Sequence, residues 1–254
     1  MKVRILFVLP AAACALFLGP VWAEDHARFG QPACPGQILD KTYYVVCYSP
    51  ENKIPVWVEY ALTRQDLAGA GAKRTNDYRA DPELPKEQRA LPADYAKSGF
   101  DMGHMAPAED LARSKKAMSA SFLLSNMVPQ KPRLNEQRWK DLEGAVRKLV
   151  QARGSAWIVS GPIWAGNKPI KRIGRRQVAV PSHCFKVILS VQADGTKEMF
   201  AAVMPNTNAT KADLAHYAQT VRFVENLSGL NFFSALPTDE QDRLEGATHT
   251  LPAQ

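Results

Sequence analysis

A chain of 254 residues, 46% hydrophobic and 22% charged, is long and apolar enough for a substantial core, which excludes a disordered or fibrous protein. Its formal charge of +7 and pI near 9.2 favour a polyanionic partner or an anionic surface over a cationic one. Four cysteines without a Cys-x-x-Cys or a Cys/His cluster exclude a structural zinc module.

Lys2 and Arg4, an apolar run from Ile5 to Phe17, and Val21-Trp22-Ala23 ahead of Glu24-Asp25 have the order of a secretory signal peptide cleaved after Ala23. An uncleaved anchor is the lesser reading because the run is short for a spanning helix, and no later stretch is apolar enough to cross a bilayer. A lipoprotein through Cys14 is weaker still, since Pro10-Ala11-Ala12-Ala13 lacks a bulky residue three positions before the cysteine. The expected organisation is residues 1–23 as signal and 24–254 as one domain, periplasmic or secreted, free of the membrane after cleavage. Cleavage removes two cations and no anions, so +7 falls to +5. Cys34, Cys47 and Cys184 then remain, and an oxidising compartment predicts one bridge. The closer pair, Cys34 and Cys47, is the expected one, with Cys184 free.

Residues 24–40 read as an N-terminal arm rich in Gly and Pro. Thr42 to Tyr48 is β-branched and aromatic, and Val56 to Leu62 follows a Ser-Pro-Glu-Asn-Lys turn, so these stretches predict neighbouring strands. Residues 64–97, charged and Pro-rich with little periodicity, predict a long surface connection. Lys115 to Leu124 has helical composition. Glu136 to Ala152 is a clearer helix, with Trp139, Leu142, Val146, Leu149 and Val150 at three- and four-residue spacing and Gly154 as its stop. Trp157-Ile158-Val159, Val178 to Val191 and Glu198 to Val203 read as strands. Thr210 to Leu227 reads as an amphipathic helix, and Thr238-Asp239-Glu240-Gln241 as the capping box of a last short one. Strands and helices do not alternate regularly, which predicts an α+β class.

Ser98 to His104 places one histidine after a glycine-marked turn, and Leu134-Asn135 opens the helix that carries Trp139 and Glu143. An imidazole takes a proton from water near neutral pH, and an amide oxygen holds a hard Mg²⁺ without cancelling its charge. Those are the parts of a one-metal phosphodiesterase. Several further pieces stand in order around them: Trp57-Val58-Glu59-Tyr60, Lys73-Arg74-Thr75-Asn76, Asp81-Pro82, Ser125-Asn126 and Pro129-Gln130. Downstream come Ser160-Gly161-Pro162, Val180 to Lys186, and Gly229 to Phe233. On these motifs, from about Tyr44 to Phe233, the chain resembles the DNA/RNA non-specific endonuclease family, whose members share the ββα-metal, or His-Me finger, site.

The resemblance implies a single domain with a largely antiparallel central sheet flanked by helices and a ββα-metal finger. It implies that His104 is the general base, with its other ring nitrogen held by a carbonyl. Asn135 would be the one direct protein ligand of Mg²⁺, with Mn²⁺ an accepted substitute, and Glu143 would order a water of the metal's shell. Asn126, Gln130 and Arg147 match positions lining the family's active site, Gln130 on the substrate side, and Arg74 falls in the family's basic strand-to-loop region. The register there allows a slip of two residues onto Asn76. In one place the chain departs from the family: the usual Asp-Arg-Gly-His has Met102 in its second position. A fixed cation near the phosphate is thereby missing.

Each residue also has a plainer reading. Asn135 fits a helix N-cap, Glu143 a solvated carboxylate, Arg147 an i,i+4 partner of Glu143, and Asn126 and Gln130 turn residues around Pro129. Asp101 suits support of the turn, and His26, His183, His216 and His249 suit structural or surface duty. The basic run Lys168 to Arg176 is either a solvated face or a path for a polyanion backbone, with Arg172 and Arg175 as substrate contacts. The activity expected is metal-dependent hydrolysis of DNA and RNA with little base preference, and a homodimer is allowed. Two alternatives stay open: a catalytically degenerate nucleic-acid-binding protein of the same fold, and an exported basic protein that binds anionic surfaces.

Overall fold

The structure is a computed structural model that describes residues 26–166 and 169–251. The expected signal peptide, residues 1–23, and Lys168 of the basic run lie outside the described residues. Seven strands form the central sheet in the order β1 (Gln37–Asp40), β2 (Val45–Ser49), β3 (Ile54–Thr63), β6 (Ser155–Ile163), β9 (His183–Val191), β10 (Lys197–Pro205) and β11 (Ala218–Gln219). Every neighbouring pair is antiparallel. Two small ladders stand apart: β4 (Asp101–His104) with β5 (Met127–Gln130), and β7 (Arg172–Ile173) with β8 (Val178–Ala179). The helices are α1 (Arg64–Ala68), α2 (Pro92–Tyr95), α3 (Lys115–Ser121), α4 (Lys140–Arg153), α5 (Val221–Ser228) and α6 (Thr238–Glu245).

The sheet is apolar on both faces because both are covered, and the alternation of its strands assigns each side chain to one of two cores. On β3, Val58, Tyr60 and Leu62 join the core under α4 and the β4–β5 hairpin. Trp57 and Ala61 join the opposite core, under α5 and α6. The fold is therefore a single α+β domain with the β4–β5 hairpin and α4 mounted on one face of the sheet. No helix among the described residues is long and apolar enough to cross a membrane. Cys34 and Cys47 are bridged with a Cα–Cα distance of 5.6 Å, tying the N-terminal arm to β2, and Cys184 is free and buried.

Several expectations change. The end of the N-terminal arm, Gln37–Asp40, forms a strand that the sequence reading did not assign, β1 paired with β2. Thr210 to Leu227 is not one helix. Asp213 caps a short 3-10 turn over Leu214–Tyr217, Ala218 and Gln219 pair with Ala202 and Ala201 of β10, and Thr220 caps α5 by accepting from Phe223 N. Two polar caps and a sheet edge offer the backbone better partners than a continuous helix would. The capping box at Thr238 is also absent: α6 begins after Pro237 without a side-chain cap, and Gln241 donates back to Leu236 O instead. Val178 to Val191 breaks at Pro181 and Ser182 into β8 and β9.

Candidate active site

The hairpin and the helix are joined at short range. The register sets Asp101 opposite Gln130 and His104 opposite Met127. Gly103 has a physical reason: any Cβ there would overlap the Gln130 side chain lying across it. After β5, Pro132 enters the first helical turn, where its fixed φ and missing N–H cost nothing. The turn widens into a π-helical stretch over Leu134–Trp139 before α4 proper. Such stretches recur at functional sites because the extra residue re-aims side chains. Here the Trp139 indole N–H donates to His104 O at 3.1 Å, locking the helix to the strand of the histidine.

His104, Asn135 and Glu143 line one cavity of about 320 Å³, with Arg74, Tyr78, Met102, Glu109, Glu136 and Lys140. The His104 residue is only 7% exposed, its ring edge-on to Phe122 at 4.9 Å and tilted against Tyr78 at 5.8 Å. Its Nε2 is buried and has no hydrogen-bond partner among the described residues. No carbonyl among them restrains that nitrogen, and the ring is steadied by aromatic packing. Burial, and then the Arg74 guanidinium, lower the imidazole from 6.5 to about 3, so the ring is neutral at neutral pH.

Asn135 is not an N-cap. It lies inside the first turns, and its N–H donates to Lys131 O at 2.9 Å. Its Nδ2 donates to Asp101 Oδ2 at 3.0 Å, so the carboxylate fixes which end of the amide faces which way. The Oδ1 accepts no hydrogen bond among the described residues. Asp101 therefore does support the finger, by orienting Asn135.

A buried charge network lies behind the cavity. Tyr60 donates to Asp110 Oδ2 at 2.7 Å, and Arg147 bridges Asp110 at 2.9 Å and Glu109 at 2.7 Å. Lys186, rising from β9 with no exposed surface, donates to Ser160 Oγ at 2.7 Å and to Met105 O at 3.4 Å. Its ammonium also sits 4.9 Å from the centre of a Trp139 ring. Burial raises the Glu143 carboxyl and Lys186 is the first charge to oppose this, while burial lowers Lys186 itself. The sequence gives Lys186 no role beyond its place at the end of the Val180 to Lys186 motif. A lysine inside the apolar run from Cys184 to Val191 was the available signal, because a buried cation requires partners.

Five candidate residues are not brought to the cavity. Asn126 is fully buried, and its amide accepts from Ala106 N and donates to Ala106 O and Ser121 O, clamping the chain just after His104. Gln130 points toward the sheet, donating to Cys184 Sγ at 3.4 Å. Arg147 serves the acidic pair Glu109 and Asp110 rather than Glu143, reaching the cavity only through Glu109. Arg172 is spent on Glu51 O, Gln177 O and the Asn52 side chain, stapling the β2–β3 turn. Arg175 is exposed and outside the cavity lining. Arg74, not Asn76, lines the cavity, its guanidinium 5.0 Å over the Phe122 ring. His26 is structural: it accepts from Ala61 N at 2.9 Å.

A hard divalent ion fits this donor set. Among the described residues there is no group of three His, Cys, Asp or Glu that could hold a metal by itself. A single oriented amide oxygen with carboxylates nearby instead suits an ion that keeps most of its water.

A family model described as DNA/RNA non-specific endonuclease matches residues 23–239. Mitochondrial endonuclease G of Bos taurus is 36% identical over 240 residues, covering 89% of this chain and 80% of that protein. Nuclease C1 of Cunninghamella echinulata var. echinulata is 34% identical over 237 residues, covering 89% and 94% respectively. A solved structure of the EndoG/EndoGI complex aligns with a TM-score of 0.77 at 30% identity, over 84% of this chain and 91% of that one.

Proposed function

The chain belongs to the DNA/RNA non-specific endonuclease family, and from that premise we propose that it hydrolyses phosphodiester bonds of DNA and RNA with His104 as base and a divalent ion held by Asn135. The observation that carries this reading is the pairing, on one cavity, of a neutral imidazole and an amide oxygen left open by Asp101. His104 takes the proton of an attacking water. That oxygen bonds to phosphorus, the bond from phosphorus to the 3′-oxygen breaks, and a water of the cavity returns a proton to the leaving oxygen. Asn135 would hold Mg²⁺ or Mn²⁺, which when bound would supply positive charge beside the phosphate. Glu143 orders water beside that position, and Arg74 offers its guanidinium to the phosphate. No step uses a ribose 2′-hydroxyl, so the chemistry itself does not separate DNA from RNA, and the expectation that both are cleaved comes from the family.

The bridge between Cys34 and Cys47 supports action in an oxidising compartment, periplasmic or secreted, after removal of residues 1–23. The test is digestion of linear DNA and of RNA of mixed sequence with Mg²⁺. Both are expected to fall to oligonucleotides with 5′-phosphate and 3′-hydroxyl ends. Binding of both without cleavage would instead identify a degenerate relative of the same fold.

Met102 lines the cavity where the family carries arginine. Met102→Arg is expected to raise kcat/KM, by about tenfold to a hundredfold, because a hydrogen bond to a charged group contributes about 1.5–3 kcal/mol. The gain should be clearest at moderate salt, where diffuse attraction is screened. Lower activity in a folded variant would mean that this cavity is built around methionine.

A further inference from the structure

Resting on the nuclease reading of this same cavity, we propose that Lys131 and Lys171, set against the Phe100 ring, form a clamp for the phosphate backbone of a nucleic-acid strand beyond the scissile phosphate. Phe100 immediately precedes β4 and Lys131 immediately follows β5, so both stand at the open end of the finger hairpin. The Lys131 ammonium is 4.0 Å from the centre of that ring and the Lys171 ammonium 4.9 Å.

Both stems start from fixed points. Lys131 N donates to Asn206 Oδ1 at 2.7 Å, and Asn206 Nδ2 donates to Pro129 O and Pro181 O. Lys171 O accepts from Val180 N at 2.8 Å. The clamp is also continuous with the site, because Lys131 O accepts the Asn135 N–H one helical turn away.

The charges point to a polyanion. Among the described residues neither ammonium has a carboxylate within ion-pair distance, and the acids at hand are engaged: Asp101 by Asn135, Asp94 by the N–H groups of Leu91 and Arg176. The shared ring keeps the two cations within about one Debye length, about 10 Å at 0.1 M salt, so they repel unless an anion lies between or along them. A nucleic-acid strand carries one charge about every 3.4 Å and meets both. Phe100 is buried to 8% exposure and presents no face for a base to stack on, so the clamp reads the backbone and not the sequence. Arg172, in the same basic run, is consumed by the β2–β3 turn and takes no part.

The experiment uses the full chain without its signal and the double variant Lys131→Gln/Lys171→Gln. Binding of a fluorescein-labelled duplex of about 30 base pairs, far longer than the cavity spans, is measured in EDTA across a salt series. Cleavage of plasmid and of a p-nitrophenyl phosphodiester of thymidine is measured with Mg²⁺. The double variant should bind the duplex about tenfold more weakly at moderate salt, with a slope of log K against log salt shallower by about 1.8, the loss of two phosphate contacts. Its loss on plasmid should exceed its loss on the small ester by about tenfold. An unchanged salt slope, or equal losses on the two substrates in a folded variant, overturns the clamp while leaving the nuclease reading intact. A wild type that neither binds the duplex nor cleaves plasmid overturns both.

Discussion

His104→Ala is expected to reduce plasmid cleavage by about 10² to 10⁴, the usual worth of general-base assistance, while duplex binding in EDTA and the fold persist. The ring packs against Phe122 and Tyr78, and its Nε2 has no hydrogen-bond partner among the described residues, so its loss mainly removes packing. Its depressed pKa supplies a second signature. The folded chain keeps the imidazole neutral while the unfolded chain protonates it below about 6.5, so wild-type stability falls as pH drops through that range. His104→Ala should show a flatter decline than wild type from about pH 6.5 downward. A variant that keeps most of the wild-type turnover at saturating metal would place the base elsewhere.

Asn135→Ala is expected to raise the Mg²⁺ concentration needed for half-maximal rate by at least tenfold to a hundredfold, since even groups that only orient a ligand are worth about that much. Asp101→Ala should move the same midpoint in the same direction by less, because it frees the Asn135 amide to turn without deleting its oxygen. After chelation, Mg²⁺ or Mn²⁺ should restore activity in wild type but only poorly in Asn135→Ala. A Mg²⁺ midpoint unchanged in Asn135→Ala would remove this residue from metal binding altogether.

Much of this arrangement can be read from the sequence where one residue's chemistry and its local pattern agree. β2 and β3 follow from β-branched and aromatic runs around a turn, and α4 from apolar residues at helical spacing. His104, Asn135 and Glu143 are legible through the family resemblance that their motifs carry, and the fold brings the three to one cavity. What stays illegible is decided across the sheet. Nothing near Asn126 in sequence says that its amide will be used up by the backbone of Ala106. Arg172 is spent on a turn 120 residues away, at Asn52. The contact of Lys186 with the finger depends on β9 lying beneath Met105 and Trp139, which no periodicity reveals. The Thr210 to Leu227 stretch misleads for a related reason: its apolar spacing suits a helix, but β10 offers Ala218 and Gln219 a sheet edge.

Metal-dependent hydrolysis at the His104 and Asn135 cavity is tested most directly by a nicking assay on supercoiled plasmid. Wild-type protein stripped of metal is incubated with EDTA, and Mg²⁺ is then added back in steps. No nicked product in chelator and a saturable return of nicking with free Mg²⁺ is the result expected. Nicking at an undiminished rate in excess EDTA would contradict the account, whatever the fold and the family of the chain.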